Sequence, residues 1–201
     1  MRNGVIRVGI TGGIGSGKST LCALLAARGA AVYDTDLEAR RLMEHDAEVV
    51  AGVKRLFGDD IYRDGHLDRK KLAAEVFPHP ERLQQLNALV HPAVKADFDR
   101  WCGERKGGYV VIESAILFES GLDAQVDRTV AVLAPLELRL ERACRRDGAD
   151  PEAVRRRIAA QMSDDELARR ADIVVVNIRR EELEETAAEL DKRFLNESRM
   201  V

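Results

Sequence analysis

The stretch that decides the fold is Gly12-Gly13-Ile14-Gly15-Ser16-Gly17-Lys18-Ser19, which is followed by Thr20. It is a complete G-x-x-x-x-G-K-[ST] motif, in which a glycine-rich turn exposes consecutive backbone N–H groups to phosphate oxygens. The helix that follows such a turn presents its positive end to the same anion. We expect Lys18 to reach the β- and γ-phosphates and the Ser19 hydroxyl to bind Mg²⁺. Residues 12–20 therefore predict a site for ATP.

The flanking sequence supports this interpretation of the motif. Val5, Ile6, Val8 and Ile10 form a short apolar run that suits a buried strand, and residues 21–27 continue as an apolar helix that ends before a glycine. Strand, loop and helix follow one another in the order that the motif requires. A glycine-rich turn with an accidental lysine is the disfavoured alternative.

Composition narrows the class of protein. The chain has 201 residues, 45% of them hydrophobic and 33% charged, which is enough for one α/β domain with inserted subdomains. A net charge of −3 gives no bulk attraction to nucleic acid or to an anionic membrane, so neither is an expected partner.

The cysteines and the apolar stretches indicate a compartment. Cys22, Cys102 and Cys144 are odd in number and widely spaced, which is typical of reduced thiols. No apolar stretch approaches the roughly 20 residues of a membrane span, and the phosphate loop near the N-terminus argues against a cleaved signal peptide. We expect a cytoplasmic enzyme.

Four further apolar runs, at residues 30–33, 109–112, 129–133 and 173–176, predict strands that alternate with helical patterns. This alternation predicts an α/β protein: a P-loop NTPase with a three-layer α/β/α core and a mainly parallel five-stranded sheet. The core is assigned to residues 1–36, 107–135 and 171–201. Its last helix, from 181 to about 194, should bury a stripe formed by Leu183, Ala187, Leu190 and Phe194.

Two segments interrupt the predicted core. Residues 37–106 contain no comparable strand run and predict a helical substrate-binding insertion, with breaks at Gly58, Gly65, Pro78, Pro80 and Pro92. Residues 136–170 are short, charged and helical, and predict a mobile segment over the nucleotide, which we call the lid segment. Within it, Asp150 before a proline and Ser163 in a capping box are expected N-caps.

Two carboxylates are candidates for the chemistry. Asp36 follows the second strand at the sheet edge that carries the phosphate loop, where a phosphoryl-transfer enzyme needs a group to accept the proton of the acceptor hydroxyl. Its alternative role is to cap the next helix. Glu113 ends the third strand, a common place for a group that holds Mg²⁺ opposite the loop serine. Its alternative is a glutamate that faces solvent.

Basic residues offer further candidates. On the helix from Leu136, Arg139, Arg142 and Arg146 share one stripe, and only Arg145 has an obvious local partner, Glu141. The three could hold polyphosphate or form a solvated face. Arg69 and Lys70 could meet an anionic substrate or line a solvated helix. His91 before Pro92 is more typical of a structural turn residue at a helix boundary than of a ligand, and spacing alone does not make it functional.

The ordered set of motifs resembles the dephospho-CoA kinase family over nearly the whole chain. Residues 10–20 are similar to that family's phosphate loop, and Asp34-Thr35-Asp36 to its D-x-D element. The segment Asn87-Ala88-Leu89-Val90-His91-Pro92 resembles its N-x-[LI]-x-H-P, and Ile116-Leu117-Phe118-Glu119 resembles its L-L-[hydrophobic]-E. Further matches are Arg142-Ala143-Cys144-Arg145-Arg146-Asp147, Gln161-Met162-Ser163 and Ala171-Asp172.

The resemblance implies transfer of the ATP γ-phosphate to the ribose 3′-hydroxyl of dephospho-CoA, with Mg²⁺. It implies that Asp36 is the base, that Lys18, Arg142 and Arg146 assist the transfer, and that Asn177 lies near the adenine. Metal ligands would be Ser19 and Glu113. Substrate contacts would come from Asp36, Arg69, Lys70, Asn87, His91, Leu117, Phe118 and Glu119.

The sequence departs from the family pattern at two places. Glu113-Ser114-Ala115 replaces a frequent Asp-x-Pro, and Asn177-Ile178-Arg179 replaces a frequent Asn-x-Gly. Two other functions are open: a kinase for another small molecule or a nucleoside monophosphate, and a nucleotide-dependent switch protein. The expected assembly is a monomer or a small homo-oligomer.

Overall fold

The computed structural model describes residues 4–200, which form a parallel sheet with helices and a mainly helical insertion. In chain order the elements are β1 (Ile6–Thr11), α1 (Lys18–Ala26), β2 (Ala31–Asp34), α2 (Thr35–His45), α3 (Ala47–Phe57), β3 (Tyr62–Arg63), β4 (His66–Leu67), α4 (Arg69–Val76), α5 (Pro80–Gly103), β5 (Tyr109–Glu113), β6 (Arg128–Leu133), α6 (Leu136–Asp147), α7 (Pro151–Ala159), α8 (Asp164–Arg170), β7 (Ile173–Val176) and α9 (Arg180–Ser198).

The five predicted strands form one parallel sheet in the order β2-β5-β1-β6-β7. Each is a short run rich in Val, Ile or Ala, and β5 is buried at every position because helices cover both faces of the sheet. Parallel strands end at the same edge, so the phosphate loop after β1 and the carboxylate that ends β5 come to one side. The predicted α/β class and sheet are confirmed.

Helices cover this sheet on two faces. On one face α1 and α9 pack on β1, β5, β6 and β7 in an apolar cluster, and the predicted stripe of Leu183, Ala187, Leu190 and Phe194 is buried there. On the other face Leu167 of α8 packs with Phe118 and Ala131. The three-layer arrangement follows from these two apolar contacts.

The chain divides into two compact units. One contains the described residues up to Asp34 and from Cys102 onward, and the other is Thr35–Trp101. The second unit holds α2 to α4, most of α5 and an antiparallel hairpin of β3 and β4, which the strand patterns of the sequence did not predict. Asp64 and Gly65 both have positive φ in its turn, the Asp-Gly signature of a tight hairpin.

One predicted break in this unit is wrong. The helix α5 runs through Pro92 without ending, so His91 lies inside a helix and not at a boundary. Pro92 gives up one backbone hydrogen bond. The loss is offset because Leu86, Val90, Val94 and Phe98, four residues apart, are all buried along one stripe of this 24-residue helix.

The lid segment contains α6, α7 and α8, and both expected caps are present. Asp150 accepts the backbone N–H of Ala153 at 2.9 Å, and Ser163 accepts that of Glu166 at 3.2 Å. The three cysteines are thiols and not disulfides, as expected. Within residues 4–200, no helix combines the length and the apolar character that crossing a bilayer requires.

Candidate active site

The phosphate loop is held closely by its neighbours. Gly15 and Gly17 have φ values of +77° and +99°, which favour glycine. A Cβ on Gly15 would lie 2.3 Å from the carbonyl oxygen of Arg139, and one on Gly17 would lie 2.0 Å from the Nδ2 of Asn177. The loop is therefore glycine-rich because other elements press against it, as well as because phosphate needs exposed N–H groups.

The start of α1 meets the end of β5 in a polar cluster. Ser19 Oγ donates to Glu113 Oε1 at 2.5 Å, and Lys18 Nζ lies 3.6 Å from the same oxygen. Glu113 is 8% exposed and pairs in register with Asp34 of β2. The alternative in which Glu113 faces solvent is wrong, because the strand ends beneath the loop and not at the surface.

The donor set of this cluster fits Mg²⁺. A hydroxyl and a carboxylate oxygen converge, and Mg²⁺ in nucleotide sites uses one or two such protein oxygens together with phosphate oxygens and water. Over residues 4–200, no three His, Cys, Asp or Glu side chains come together as a complete protein cage. Ser19 Oγ and Glu113 Oε1 are the protein oxygens that would hold such an ion.

Cys22 lies one turn beyond this cluster on α1 and is 2% exposed. Burial raises the pKa of its thiol, and the nearby Glu113 carboxylate raises that pKa further. The thiol is therefore protonated at neutral pH and is a poor nucleophile.

A cationic cavity of about 440 Å³ opens above the loop. Arg142, Arg145 and Arg146 of α6 line it together with Arg180 of α9. Arg142 donates to the backbone carbonyls of Asn177 and Ile178 at 3.1 and 3.0 Å. The remaining lining residues are Gly13, Gly15, Gly17, Lys18, Ser19, Thr20, Ala143, Asn177 and Leu183.

Arg139, Arg142 and Arg146, for which the sequence offers no obvious local partner, all have protein partners in the structure. Arg139 pairs with Asp164 and Arg146 with Asp147, while Arg142 binds the two carbonyls after β7. The partners of Arg139 and Arg142 come from distant parts of the chain, which helical spacing alone cannot reveal. The predicted pair of Arg145 with Glu141 is present at 3.2 Å.

Asn177, which the resemblance places near the adenine, is 5% exposed and lines the cavity. Its side-chain amide donates to the carbonyl of Ser16 at 2.7 Å, and its backbone N–H donates to Leu133. The asparagine thus joins the end of β7 to the phosphate loop. One side-chain N–H thus binds the protein, and an adenine contact stays a prediction.

The candidate base lies in the second unit. Asp36 is in the first turn of α2, which begins at Thr35, and it is exposed. Because Asp36 is inside the helix, it is not the N-cap residue, and the alternative role as a cap is wrong. Its role as a base stays a prediction.

Other predicted substrate residues also lie in this unit. Asn87 and His91 are four residues apart on α5 and share a face. Burial lowers the pKa of His91, and Lys95 lowers it further, so the imidazole is neutral at pH 7. Arg69 and Lys70 are exposed in the first turn of α4.

The residues after β5 have packing roles. Leu117 is fully buried against Gly9, where a Cβ would lie 2.8 Å from Leu117 Cδ2, and Phe118 is 6% exposed beneath the Arg170 guanidinium. Glu119 is exposed. Contact of these three with substrate stays a prediction.

The contacts of three residues at this site were not predicted from the sequence, although Arg139 was a candidate for holding polyphosphate. Arg180 lines the cavity, and only its position directly after the last strand signals it. Gln161 accepts the backbone N–H of Ile14 at 2.8 Å, and Arg139 lies against the loop. Gln161 belongs to a motif of the resemblance, but no pattern in the sequence shows what it binds.

The fold and the site together define a class. A parallel sheet with a phosphate loop between its first strand and helix, a serine–carboxylate pair at the strand ends and an arginine-lined cavity make this a P-loop kinase. A sequence model of the dephospho-CoA kinase family matches residues 6–182. The chain belongs to that family.

Individual relatives agree with this assignment. A dephospho-CoA kinase of Chlorobium luteolum is 46% identical, with 91% of this chain and 88% of the relative covered, and one of Porphyromonas gingivalis is 42% identical with 86% of each covered. The crystal structure of TT1252 from Thermus thermophilus has a TM-score of 0.83 at 40% identity, covering 92% and 95% of the two chains.

A more distant structure shows the fold alone. Shikimate kinase from Acinetobacter baumannii in complex with shikimate has a TM-score of 0.56 at 17% identity, over 96% of this chain and 95% of that one. The α/β kinase core is therefore shared beyond the family.

Proposed function

We propose that this protein transfers the γ-phosphoryl group of ATP to the ribose 3′-hydroxyl of dephospho-CoA, which yields CoA and ADP. The family to which the chain belongs is named for the phosphorylation of dephospho-CoA. The observation that carries the proposal is the cluster of Ser19, Lys18 and Glu113 at the head of the loop, which suits a triphosphate with its metal.

The phosphate loop binds the donor. Its backbone N–H groups and the start of α1 hold the β- and γ-phosphates, and Lys18 neutralises charge that develops during transfer. Arg142 and Arg146 line the adjoining cavity, where guanidinium groups stabilise charge on the transferred group. Asn177 holds the loop from the side on which the adenine is expected.

Ser19 and Glu113 are the proposed ligands of Mg²⁺. A bound Mg²⁺ supplies neutralisation of the phosphate charge and a fixed orientation of the donor. Glu113 in turn orients both Ser19 and Lys18, because one carboxylate oxygen meets the hydroxyl and the ammonium group.

Asp36 is the proposed base. It takes the proton of the 3′-hydroxyl while the new bond forms between that oxygen and the γ-phosphorus, and the bond to the β-γ bridging oxygen breaks. The proposal rests on the D-x-D resemblance and on the place of Asp36 directly after β2, whose end pairs with Glu113.

The insertion and the lid segment complete the proposal. Asn87, His91, Arg69 and Lys70 are assigned to dephospho-CoA, and closure of residues 136–170 excludes water from the transfer. The expected partners are small molecules and not nucleic acid or a membrane. A cytoplasmic location and a monomer or small homo-oligomer remain part of the proposal.

The decisive experiment incubates the protein with ATP and Mg²⁺ and offers dephospho-CoA, shikimate, AMP or no acceptor, with detection of the phosphorylated product. The proposal expects 3′-phosphorylated product from dephospho-CoA alone. Turnover of another acceptor would indicate a different small-molecule kinase. Slow hydrolysis that no acceptor stimulates would indicate a switch protein.

A further inference from the structure

Ile14 lies in the phosphate loop, and side chains bind both its backbone N–H and its backbone carbonyl. Its N–H donates to Gln161 Oε1 at 2.8 Å, and its carbonyl accepts from Arg139 Nε at 3.0 Å. Arg139 opens the lid segment on α6, and Gln161 lies near its end, between α7 and α8. Two side chains of the lid segment, one on α6 and one between α7 and α8, therefore fix the orientation of the peptide groups on either side of one loop residue.

Arg139 is buried and is held in this position by an ion pair with a partly exposed carboxylate. The whole residue is 4% exposed, and its Nη1 lies 2.7 Å from Oδ1 of Asp164, in the first turn of α8. A buried guanidinium is tolerated only when it is paired and hydrogen-bonded, and here the carboxylate and a backbone carbonyl supply both. We call Arg139, Gln161 and Asp164 the Ile14 clamp.

The glycines of the loop are matched to this clamp. A Cβ on Gly13 would lie 2.0 Å from Nη2 of Arg139 and 2.7 Å from its Cζ. Because Arg139 is buried, its guanidinium cannot move aside to make room for a side chain at position 13. Arg139 thus differs from Arg142, three residues further on the same helix, which lines the cavity.

We propose that the Ile14 clamp is a positioning device that sets the phosphate loop in its binding shape before the nucleotide arrives and fastens both ends of the lid segment to that loop. A preformed loop loses less ordering entropy when the triphosphate binds. Any closure over the nucleotide is then confined to the residues between the two anchors, which include Arg142, Arg146 and α7. The inference deepens the proposed function and rests on it only for the kinetic readout.

The test compares Arg139→Met, Gln161→Met and Asp164→Asn with the matched control Arg155→Met. Arg155 lies on α7 in the same lid segment and makes an exposed pair with Glu152. The dissociation constants of ATP and ADP are measured by titration calorimetry, which needs no acceptor. Kinetics with dephospho-CoA then give kcat and both KM values.

Each clamp variant should raise the dissociation constants of ATP and ADP about tenfold, because the loop must then be ordered by the nucleotide. It should lower kcat about 10- to 100-fold through misplacement of the phosphates. The KM for dephospho-CoA should change less than about twofold, and Arg155→Met should match the wild type. Arg139→Lys should recover part of the loss, since an ammonium group satisfies one of the two acceptors.

A double-mutant cycle of Arg139→Met and Asp164→Asn shows whether the two residues act together on ATP binding or independently. The double variant should bind ATP almost as well as the worse single variant, since both changes break one unit. Lower thermal stability with unchanged nucleotide affinity per folded molecule would overturn the proposal. If Arg139→Met does not fold, the ATP affinity of Gln161→Met, which removes one acceptor from a half-buried side chain, decides the question in the same way. If the wild type forms no product from dephospho-CoA while the clamp variants bind ATP more weakly, the result counts against the proposed function alone.

Discussion

The two units of this chain organise their candidate residues in different ways. In the unit that carries the phosphate loop, Glu113 contacts both Ser19 and Lys18. Asn177 and Arg139 hold the loop of this unit from two sides. In the unit Thr35–Trp101, the assigned residues Asp36, Arg69 and Lys70 are exposed in the first turns of separate helices. The donor site is thus built from mutual contacts between distant segments, whereas Asp36, Arg69 and Lys70 are exposed on the surfaces of two helices.

This difference has a physical basis. A triphosphate presents the same charges to every enzyme of this class, so a rigid loop of aligned N–H groups can be formed in advance. A large acceptor is recognised by a few groups spread over a wide surface, which do not need to contact each other. The following predictions test this contrast, beginning with the largest expected effect.

Asp36→Asn should lower kcat about 10²- to 10⁴-fold, because an amide cannot accept the hydroxyl proton. Steady-state kinetics and ATP titration check this together: the ATP dissociation constant should stay within about twofold if the base acts only on the acceptor. The control is Asp64→Asn, an exposed aspartate of the hairpin turn in the same unit. Retention of kcat in Asp36→Asn would remove Asp36 from the chemistry.

Phe194→Ala and Phe98→Ala form a matched pair, since each ring is fully buried in a different unit. Each should cost about 3–5 kcal/mol of unfolding free energy through lost burial and a cavity. Denaturant unfolding followed by Trp101 fluorescence and by circular dichroism measures this. If the units fold independently, Phe194→Ala should leave the Trp101 transition in place; coincident shifts would show one cooperative unit.

Glu113→Gln should lower activity about 10- to 100-fold and raise the Mg²⁺ concentration for half-maximal rate, because a ligand charge and an orienting acceptor are lost. Asp34→Asn is the matched comparison, since Asp34 lies opposite Glu113 in the neighbouring strand. Measuring rate against Mg²⁺ for both variants decides which carboxylate assists the metal. A larger shift for Asp34→Asn would transfer that role to Asp34.

The smallest effect concerns the hairpin of the insertion. Glu44 accepts from His66 Nδ1 at 2.7 Å and from the Leu67 N–H at 3.3 Å, and the contact with His66 is the main cause that lowers the pKa of Glu44 below its usual 4.5. A depressed folded-state pKa stabilises the protein above the unfolded pKa, and this stability is lost as the pH falls through the folded value.

We therefore expect Glu44→Gln to lower the melting temperature at pH 7 by no more than about 2–4 °C, since His66 is largely exposed. The difference from the wild type should disappear as the pH falls from about 4.5 through the lowered folded value. Melting curves between about pH 3 and pH 7 check this. A difference that is constant with pH would mean that packing, and not the ionised Glu44 carboxylate, is responsible. Glu104→Gln, whose partner Arg105 is its neighbour in the chain, is the control.

Local patterns were sufficient for much of the fold. The five strands, the stripe of α9 and the caps Asp150 and Ser163 depend on side chains close in sequence, where periodicity and capping chemistry act directly. The hairpin was missed although Asp64-Gly65 is a readable turn signal. The helix break predicted at Pro92 is wrong because the lost backbone hydrogen bond is outweighed by the buried apolar stripe of α5, which the local sequence around Pro92 does not show.

The sequence by itself determined the phosphoryl donor, the parallel sheet and the family, because the phosphate loop and the other short motifs consist of residues that are adjacent in the chain. The tertiary structure decided the roles of individual groups. In the structure Glu113 accepts from Ser19, and the Asn177 side chain donates to the phosphate loop. Arg139 is buried against Ile14, whereas Arg142 lines the cavity. Helical spacing places both arginines on one stripe, and only contacts between distant segments determine that Arg139 is buried against the loop while Arg142 lines the cavity.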